Sequence, residues 1–308
     1  MNRKLIITIL LLGVALFPRP SHALSVSPPI LDIAVKPGES IIDVVKVFNE
    51  EATPVSFIAS MVNATDAGDE LGTPVFYPAN QDRDGQSLAK WFFFEPETIT
   101  LKPGESFSQP FTINVPKDAQ PGGHYGAMIF TMKTTDKSSG VSVGGKIAVL
   151  FLVTVEGDSV TAGKILQFET SPTRESFEVM PKKFIFRFEN EGNIHVKPKG
   201  YVQITNLFGM TKEFIAVNHE EKSILPKTIR RIDIERQSNG LHNYGIGKYT
   251  AKLTLEFGDN KNSSEAEYVF YVWPKKMMII GAISLAVLTL LAFLLRNKQS
   301  KRYPTPTI

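Results

Sequence analysis

Short runs of apolar and β-branched residues, separated by turns, fill the middle of the chain. Runs such as "IIDVVKVFN", "SFSQPFTINV" and "KIAVLFLVTVEG" are rich in Val, Ile, Phe and Thr. Pro-Gly turns stand between them, and the central Pro-Gly of 36–39 and of 102–105 predicts two type II turns. No long stretch outside the two ends of the chain has the 3.6-residue apolar period of a helix. The pattern predicts an all-β fold of β-sandwiches.

Three sequence features recur in the same order in two parts of the chain. Each part has a strand that ends in Asn, at Asn49 and Asn190, and then a strand that turns at Leu-Lys-Pro or Leu-Pro into the next strand. Asn is common at tight turns because it tolerates positive φ, and we expect that role for both residues. The repeat predicts two tandem Ig-like sandwiches, at 24–158 and 159–273.

The last repeated feature is Gly-x-Tyr-x-Ala. It occurs once at Gly123 and Tyr125 and again at Gly247 and Tyr249, each time followed by strand-forming residues. We expect each glycine to allow a bend before a late strand. We expect each tyrosine ring to be buried at a corner of its sandwich, so both copies of the motif are structural.

Both ends of the chain carry segments typical of membrane targeting. Residues 1–23 combine basic residues, a short apolar run and "SHA", which predicts a secretory signal peptide cleaved after Ala23. An uncleaved N-terminal anchor is the alternative. Residues 277–295 are apolar and uncharged, and their length suits a transmembrane helix. The basic residues that follow, in a short tail at 296–308, predict a cytoplasmic C-terminus and hence a single-pass type I protein of the cell membrane.

The formal net charge of +3 hides an acidic exported part. Nine of the 34 Lys and Arg residues lie in the signal peptide and beside the transmembrane helix, where there is no Asp or Glu. The remaining 25 basic residues face 31 acidic ones, so the exported part carries a charge of −6. This charge argues against nucleic acid as a partner. The helix and its basic flank predict contact with membrane lipid.

Few residues suggest catalysis or a cofactor. The chain has no cysteine, which removes disulfides and thiolate chemistry, and the histidines of the exported part are isolated in sequence. We therefore expect no enzyme activity, no catalytic residue and no cofactor. One weak calcium candidate is "NQDRDG" at 80–85, where Asp82 and Asp84 supply oxygens. The Glu expected at the twelfth position of a calcium loop is Trp91 here.

Four consecutive aromatic residues form the most distinctive local feature of the exported part. They are Trp91, Phe92, Phe93 and Phe94. In a strand, alternate residues face opposite sides, so Trp91 and Phe93 would share one face and Phe92 and Phe94 the other. The run is then either a strand buried on both faces or an exposed aromatic surface. An exposed surface would suit sugar rings or an apolar strand of a partner, with the polar loop 80–85 beside it.

As an ordered set, these segments resemble the WxL-interacting proteins of Gram-positive bacterial surfaces. The segments are "SVSPPILDIAVKPGESIIDVVKVFN", "ETITLKPGESFSQPFTINVP", "PGGHYGAMIF" and "GGKIAVLFLVTVEG", with the terminal anchor and its basic tail. The resemblance implies a non-catalytic surface protein: an N-terminal Ig-like domain that binds peptidoglycan, a second Ig-like domain for protein partners, and a membrane anchor. The tail is shorter here, and the second domain matches more loosely.

The sequence predicts a membrane-anchored bacterial surface adaptor. Its expected partners are cell-wall peptidoglycan or wall-associated proteins. Two alternatives remain. The N-terminal "SPPILDIAVKPGESIIDVVKVFNEEATPV" looks like the start of a pilus chaperone, which donates a strand to its subunit, although such chaperones lack a membrane helix. A passive structural stalk is the other alternative.

Overall fold

The computed structural model describes residues 24–83, 85–133, 145–237 and 240–300. The predicted signal peptide, Asp84 and residues 301–308 of the predicted tail lie outside this part of the chain. The described residues form strands joined by turns and loops, followed by one long helix, which confirms the predicted all-β class with a single apolar C-terminal helix. The chain divides into two compact units between Ser159 and Val160, and Asp66–Thr73 groups with the second unit.

The first unit is a sandwich of two sheets. One sheet has the order β1-β3-β8-β6, and the other has the order β2-β10-β9-β4-β5, with β7 also paired to β4. A 3-10 turn at Ala89–Trp91 leads into β6. The strands are β1 Leu24–Ser27, β2 Ile30–Val35, β3 Ser40–Asn49, β4 Val55–Asp66, β5 Pro74–Tyr77, β6 Phe92–Phe93, β7 Thr98–Leu101, β8 Ser106–Asn114, β9 Gly122–Lys133 and β10 Lys146–Val155.

The second unit is also a sandwich, and the helix follows it. One sheet has the order β11-β13-β16, and the other has the order β12-β18-β17-β14-β15. The elements are β11 Gly163–Thr170, β12 Ser176–Phe177, β13 Lys183–Asn190, β14 Lys199–Asn206, β15 Thr211–Val217, β16 Ile229–Glu235, β17 Gly247–Phe257, β18 Asn262–Val272 and helix α1 Lys275–Ser300.

The same order of strands recurs in both units. In the first unit, β1 pairs with β3 in one sheet and β2 pairs in parallel with β10 in the other. In the second unit, β11 pairs with β13 and β12 pairs in parallel with β18. The first strand of each unit therefore passes from one sheet to the other, and it does so at a cis peptide bond, Ser27–Pro28 or Ser171–Pro172. The repeat in the sequence corresponds to a repeat of topology.

Each unit has its own aromatic core between its sheets. Along β17, the buried positions alternate with partly exposed ones from Tyr249 to Phe257, as expected for a strand with one face on the core. The cores are closely packed by rings, with Phe57, Phe111, Phe130 and Phe151 fully buried in the first unit and Phe184, Phe186, Phe188 and Phe270 in the second. Since the chain has no cysteine, burial of these side chains is the main source of stability in both units.

Candidate functional site

The structure separates the four consecutive aromatic residues rather than presenting them as one surface. Phe92 is buried in the core, where its ring stacks on Phe111 at 5.4 Å and meets Phe151 edge-to-face at 4.7 Å. Trp91 and Phe94 are half-buried against the same core. Phe93 is 58% exposed. A binding surface made of all four rings is therefore wrong, because alternation along β6 turns Phe92 inward and the 3-10 turn takes Trp91 out of the strand pattern.

Phe93 belongs to an exposed apolar row that crosses three strands. It pairs with Thr112 of β8, and Thr112 pairs with Ile42 of β3. Val44 pairs with Pro110 in the neighbouring row. Paired residues project from the same face of a sheet. Ile42 is 79% exposed, so two large apolar side chains stand in solvent on either side of Thr112.

A cavity of about 330 Å³ opens beside this row, and we call it the β6–β8 groove. Its walls are apolar, and the exposed carboxylates of Glu95 and Glu97 are its charged groups. The buried amide of Gln109 also reaches the groove and donates from Nε2 to the carbonyl oxygen of Pro110 at 3.1 Å. The remaining lining residues are Ile42, Phe93, Phe94, Ile99, Phe107, Pro110, Phe111 and Thr112.

Sequence reasoning missed Ile42 and Val44, although a signal for them exists. The strand "SIIDVVKVFN" has apolar residues on both of its faces. Antiparallel sheets that face solvent on one side usually place polar residues on that side. Two strands of one sheet with apolar residues on both faces, β3 and β6 on either side of β8, therefore indicate an exposed apolar surface.

The polar loop at 80–85 is not part of the groove. None of its described residues lines the cavity. Asp82 Oδ1 accepts a hydrogen bond from Ser87 Oγ at 2.6 Å, and the carbonyl oxygen of Gln81 accepts one from the buried amide of Asn63 at 2.8 Å. Within the described part of the chain, no three His, Cys, Asp or Glu side chains are grouped to hold a metal ion. Asp84 lies outside it, so the calcium site stays a prediction.

The second unit contains a larger but polar cavity, of about 680 Å³, between the edge strands β15 and β16. Most of its carboxylates are already paired with cations. Glu213 accepts a hydrogen bond from the buried Arg236 at 2.5 Å, and Asp233 lies 2.9 Å from Lys183. Glu220 pairs with Lys222 at 2.9 Å. These pairs leave little unbalanced charge to attract a ligand.

The repeated tyrosines lie in corresponding strands, β9 and β17. Tyr125 is 1% exposed and Tyr249 is 6% exposed, so both rings belong to the interior of their units. Gly247 has a φ of 97°, which fits a bend before β17. Gly123 is not among the described residues with positive φ, and its role is different: a Cβ there would lie 1.9 Å from the hydroxyl oxygen of Tyr125.

Helix α1 has the length and composition to cross a membrane. Its apolar part runs through Lys275–Arg296, and none of the side chains in it is buried against the rest of the chain. At 1.5 Å per residue, its 22 residues extend about 33 Å, close to the roughly 30 Å of a bilayer's hydrocarbon core. The predicted span, 277–295, falls within this segment.

No family model and no curated protein matches the chain. Among solved structures, the class 5 fimbriae chaperone CfaA aligns over 80% of this chain and 99% of its own, with 15% identity and a TM-score of 0.39. The E. coli chaperone DraB aligns over 82% of this chain and 98% of its own, with 10% identity and a TM-score of 0.36. The CsuC–CsuE chaperone and tip subunit complex of Acinetobacter baumannii aligns over 80% and 97%, with 9% identity and a TM-score of 0.37. Likenesses at this level do not identify what this chain binds.

Proposed function

We propose that this chain is a non-catalytic, membrane-tethered binding protein with two Ig-like domains on the outer side of the cell membrane. Its first unit binds an apolar extended segment of a surface protein in the β6–β8 groove. One observation carries the proposal: Ile42 and Phe93 stand exposed in one row beside an apolar cavity. Exposed apolar patches on soluble domains mark interaction sites.

The size and chemistry of the groove suit recognition of side chains. A volume of about 330 Å³ is at the small end of ligand pockets and has room for one or two large apolar side chains. Complete burial of Ile42 and Phe93 would contribute on the order of 3–6 kcal/mol. Before the cost of association is subtracted, this corresponds only to weak binding, with a Kd from roughly millimolar to tens of micromolar. Many tethered copies facing one surface would gain affinity by avidity.

A cell-wall glycan is the second candidate partner. The observation in its favour is the exposed ring of Phe93 next to the carboxylates of Glu95 and Glu97. The C–H face of a sugar packs on an aromatic ring, and its hydroxyls donate to carboxylate oxygens. The resemblance to WxL-interacting proteins makes peptidoglycan the natural glycan to test. A single exposed ring offers less stacking area than the exposed aromatic surface that was one of the two alternatives from the sequence.

The tether is the helix α1 with its basic flanks. A type I orientation would place both units outside the cell and the basic tail against the inner leaflet. Protease added to intact cells from which the wall has been removed should digest an epitope placed after Ala23 and spare one placed after Ile308. Digestion of the C-terminal epitope alone would contradict this orientation.

Binding is tested with the full chain in lipid nanodiscs and cell walls of the organism that encodes it. One wall sample keeps its proteins, and the other is stripped of them with hot detergent. We expect the chain to sediment with the untreated walls and to bind the stripped walls at least tenfold more weakly. Equal binding to both samples would make the glycan the partner. If the chain sediments with neither, the binding function fails and a passive stalk or a strand-donating assembly factor becomes the better account.

A further inference from the structure

The turn between β14 and β15 presents three large apolar side chains to solvent. Phe208 is 81% exposed, Leu207 65% and Met210 60%. The turn is well ordered by hydrogen bonds: Asn206 Oδ1 accepts from the backbone N–H groups of Phe208 and Met210, each at 3.0 Å. The backbone N–H of Gly209 also donates to the carbonyl oxygen of Asn206 at 3.0 Å. The apolar side chains therefore sit on a defined hairpin, and we call residues 207–210 the hairpin tip.

The register of the sheet puts the hairpin tip at the end where the chain enters helix α1. Asn206 pairs with Tyr249, and Tyr249 pairs with Phe270, so these residues lie at one level across three strands. From Phe270, β18 continues to Val272, and α1 begins at Lys275. From Asn206, the hairpin tip projects in the same direction.

The connection between the sheet and the helix is very short. The backbone N–H of Trp273 donates to the carbonyl oxygen of Phe177 at 2.7 Å, which holds this residue on the second unit. The backbone N–H of Met278 already donates to the carbonyl oxygen of Pro274 at 3.0 Å, as in a helix. The second unit is thus joined to the apolar helix without a flexible linker.

This geometry brings the hairpin tip to the membrane surface. Phe208 is two residues beyond Asn206 and therefore about level with Val272. From Val272 to Lys275 an extended chain rises at most about 10 Å. Two helical residues more, about 3 Å, lead to Met277, the start of the apolar stretch. The headgroup layer of one leaflet is itself roughly 5–7 Å thick. The gap that remains between the level of Phe208 and the outer edge of the headgroup layer is close to the length of a phenylalanine or methionine side chain.

The two ends of this sheet differ in polarity in the way a membrane contact requires. At the helix end, Tyr244 and Ile246 are exposed beside the hairpin tip, and Trp273 and Lys275 follow β18. At the opposite end, the turn between β17 and β18 is Gly-Asp-Asn-Lys, and the segment after β15 is Asn-His-Glu-Glu. Aromatic, apolar and lysine side chains are typical of the membrane interface.

We infer that the hairpin tip docks on the bilayer that holds the chain's own helix, with Leu207, Phe208 and Met210 inserted at the level of the outer headgroups. The inference rests on the proposed tether. It assigns the second unit a fixed contact with lipid, in addition to the anchor. A lipid surface is the partner because the tip lies at the same end of the sheet as the membrane helix and has no charged residue of its own.

Spin labels on single cysteines test this docking, since the natural chain has no cysteine. The full chain is placed in nanodiscs of phosphatidylcholine with a minority of phosphatidylglycerol. Labels are attached at Leu207→Cys in the tip, at Asp259→Cys in the turn at the far end of the sheet, and at Leu288→Cys in the middle of α1. Collision rates with oxygen, which concentrates in lipid, and with a water-soluble nickel chelate report the depth of each label.

We expect the label at 207 to collide preferentially with oxygen, as the label at 288 does, and the label at 259 to collide preferentially with nickel. Adding Phe208→Glu and Met210→Glu should turn the label at 207 to the aqueous pattern and leave the label at 288 unchanged. An aqueous pattern at 207 in the otherwise natural chain, with 288 still in lipid, overturns the docking and leaves the tether intact. An aqueous pattern at 288 instead overturns the tether, and the docking falls with it.

Discussion

Asn49 and Asn190 make the same three side-chain hydrogen bonds in corresponding strands of the two units. Asn49 Nδ2 donates to the carbonyl oxygens of Thr53 and Leu101, both at 3.0 Å, and its Oδ1 accepts from the backbone N–H of Glu51 at 2.9 Å. Asn190 Nδ2 likewise donates to the carbonyl oxygens of Ile194, four positions later, and of Ile224 across the unit, and its Oδ1 accepts from the backbone N–H of Gly192, two positions later. Each amide therefore ties the end of its strand to a distant segment.

Replacing either asparagine with alanine should destabilise its own unit by about 3 kcal/mol, because buried carbonyl and N–H groups would lose their partners. Asn114→Ala is the control, since Asn114 is exposed and its substitution should cost little. Urea unfolding of the full chain in mild detergent measures these changes. The fluorescence of a single tryptophan follows each unit, with Trp91 kept for the first unit and Trp273 for the second. A change confined to the wrong unit, or none at all, contradicts the assignment.

Gly123 and Gly247 recur in the sequence for different physical reasons. A Cβ at Gly123 would lie 1.9 Å from Tyr125 Oη, whereas a Cβ at Gly247 meets nothing within 4 Å but has a φ of 97°. In the second unit the tyrosine side chain lies over Gly245 instead, and the hydroxyl oxygen of Tyr249 would be 2.5 Å from a Cβ at that glycine. We expect a bend at both glycines, and at Gly123 the structure adds a requirement for space.

Both Gly123→Ala and Gly247→Ala should be destabilising. Only the loss of stability in Gly123→Ala should depend on the hydroxyl group of the nearby tyrosine. Tyr125→Phe added to Gly123→Ala removes the closest atom and should recover part of the lost stability. Tyr249→Phe added to Gly247→Ala should recover none, because backbone conformation causes that loss. The two double variants are compared by urea unfolding, and equal recovery in both would refute the distinction.

Lys252 and Glu265 form a cross-strand ion pair on the exposed face of the β17–β18 sheet, with 2.7 Å between Lys252 Nζ and Glu265 Oε2. The hydrogen bond from Lys252 holds the pKa of Glu265 below its ordinary value. A lowered carboxyl pKa stabilises the folded chain above the unfolded-state pKa, and this stabilisation is lost as the pH falls through the folded-state pKa. The effect is small because the pair is exposed and screened by salt.

Lys252→Met should raise the pKa of Glu265 toward the ordinary carboxyl value, while Lys248→Met in the same strand should leave it in place. Carboxyl chemical shifts of the chain, measured by NMR across the acid range, give this pKa directly. An unchanged Glu265 pKa in the Lys252→Met variant would mean that the pair does not persist in solution.

The sequence was sufficient for features that depend on local chemistry. The two Pro-Gly turns are confirmed, with Gly38 and Gly104 at positive φ and with hydrogen bonds that close Lys36 to Glu39 and Lys102 to Glu105. The apolar helix near the C-terminus was predictable from length and composition alone. These features need no knowledge of which strands are neighbours.

Features that depend on strand pairing could not be predicted. Asn49 and Asn190 were expected at positive φ, but neither is among the described residues with positive φ, and their distant partners are not evident from the sequence. The strand that contains Ile42 is apolar on both faces, so its pattern does not say which face meets solvent. The row of Ile42, Thr112 and Phe93 forms only once three separate strands are aligned.

Binding by variants of the β6–β8 groove tests the central claim most directly. Phe93→Glu and Ile42→Glu each place a charge in the exposed row without disturbing the core, and Phe214→Glu is the matched control at an exposed phenylalanine of the second unit. With the full chain in nanodiscs and untreated cell walls, we expect both groove variants to bind at least tenfold more weakly and the control to bind like the natural chain. Natural binding by both groove variants would contradict the account.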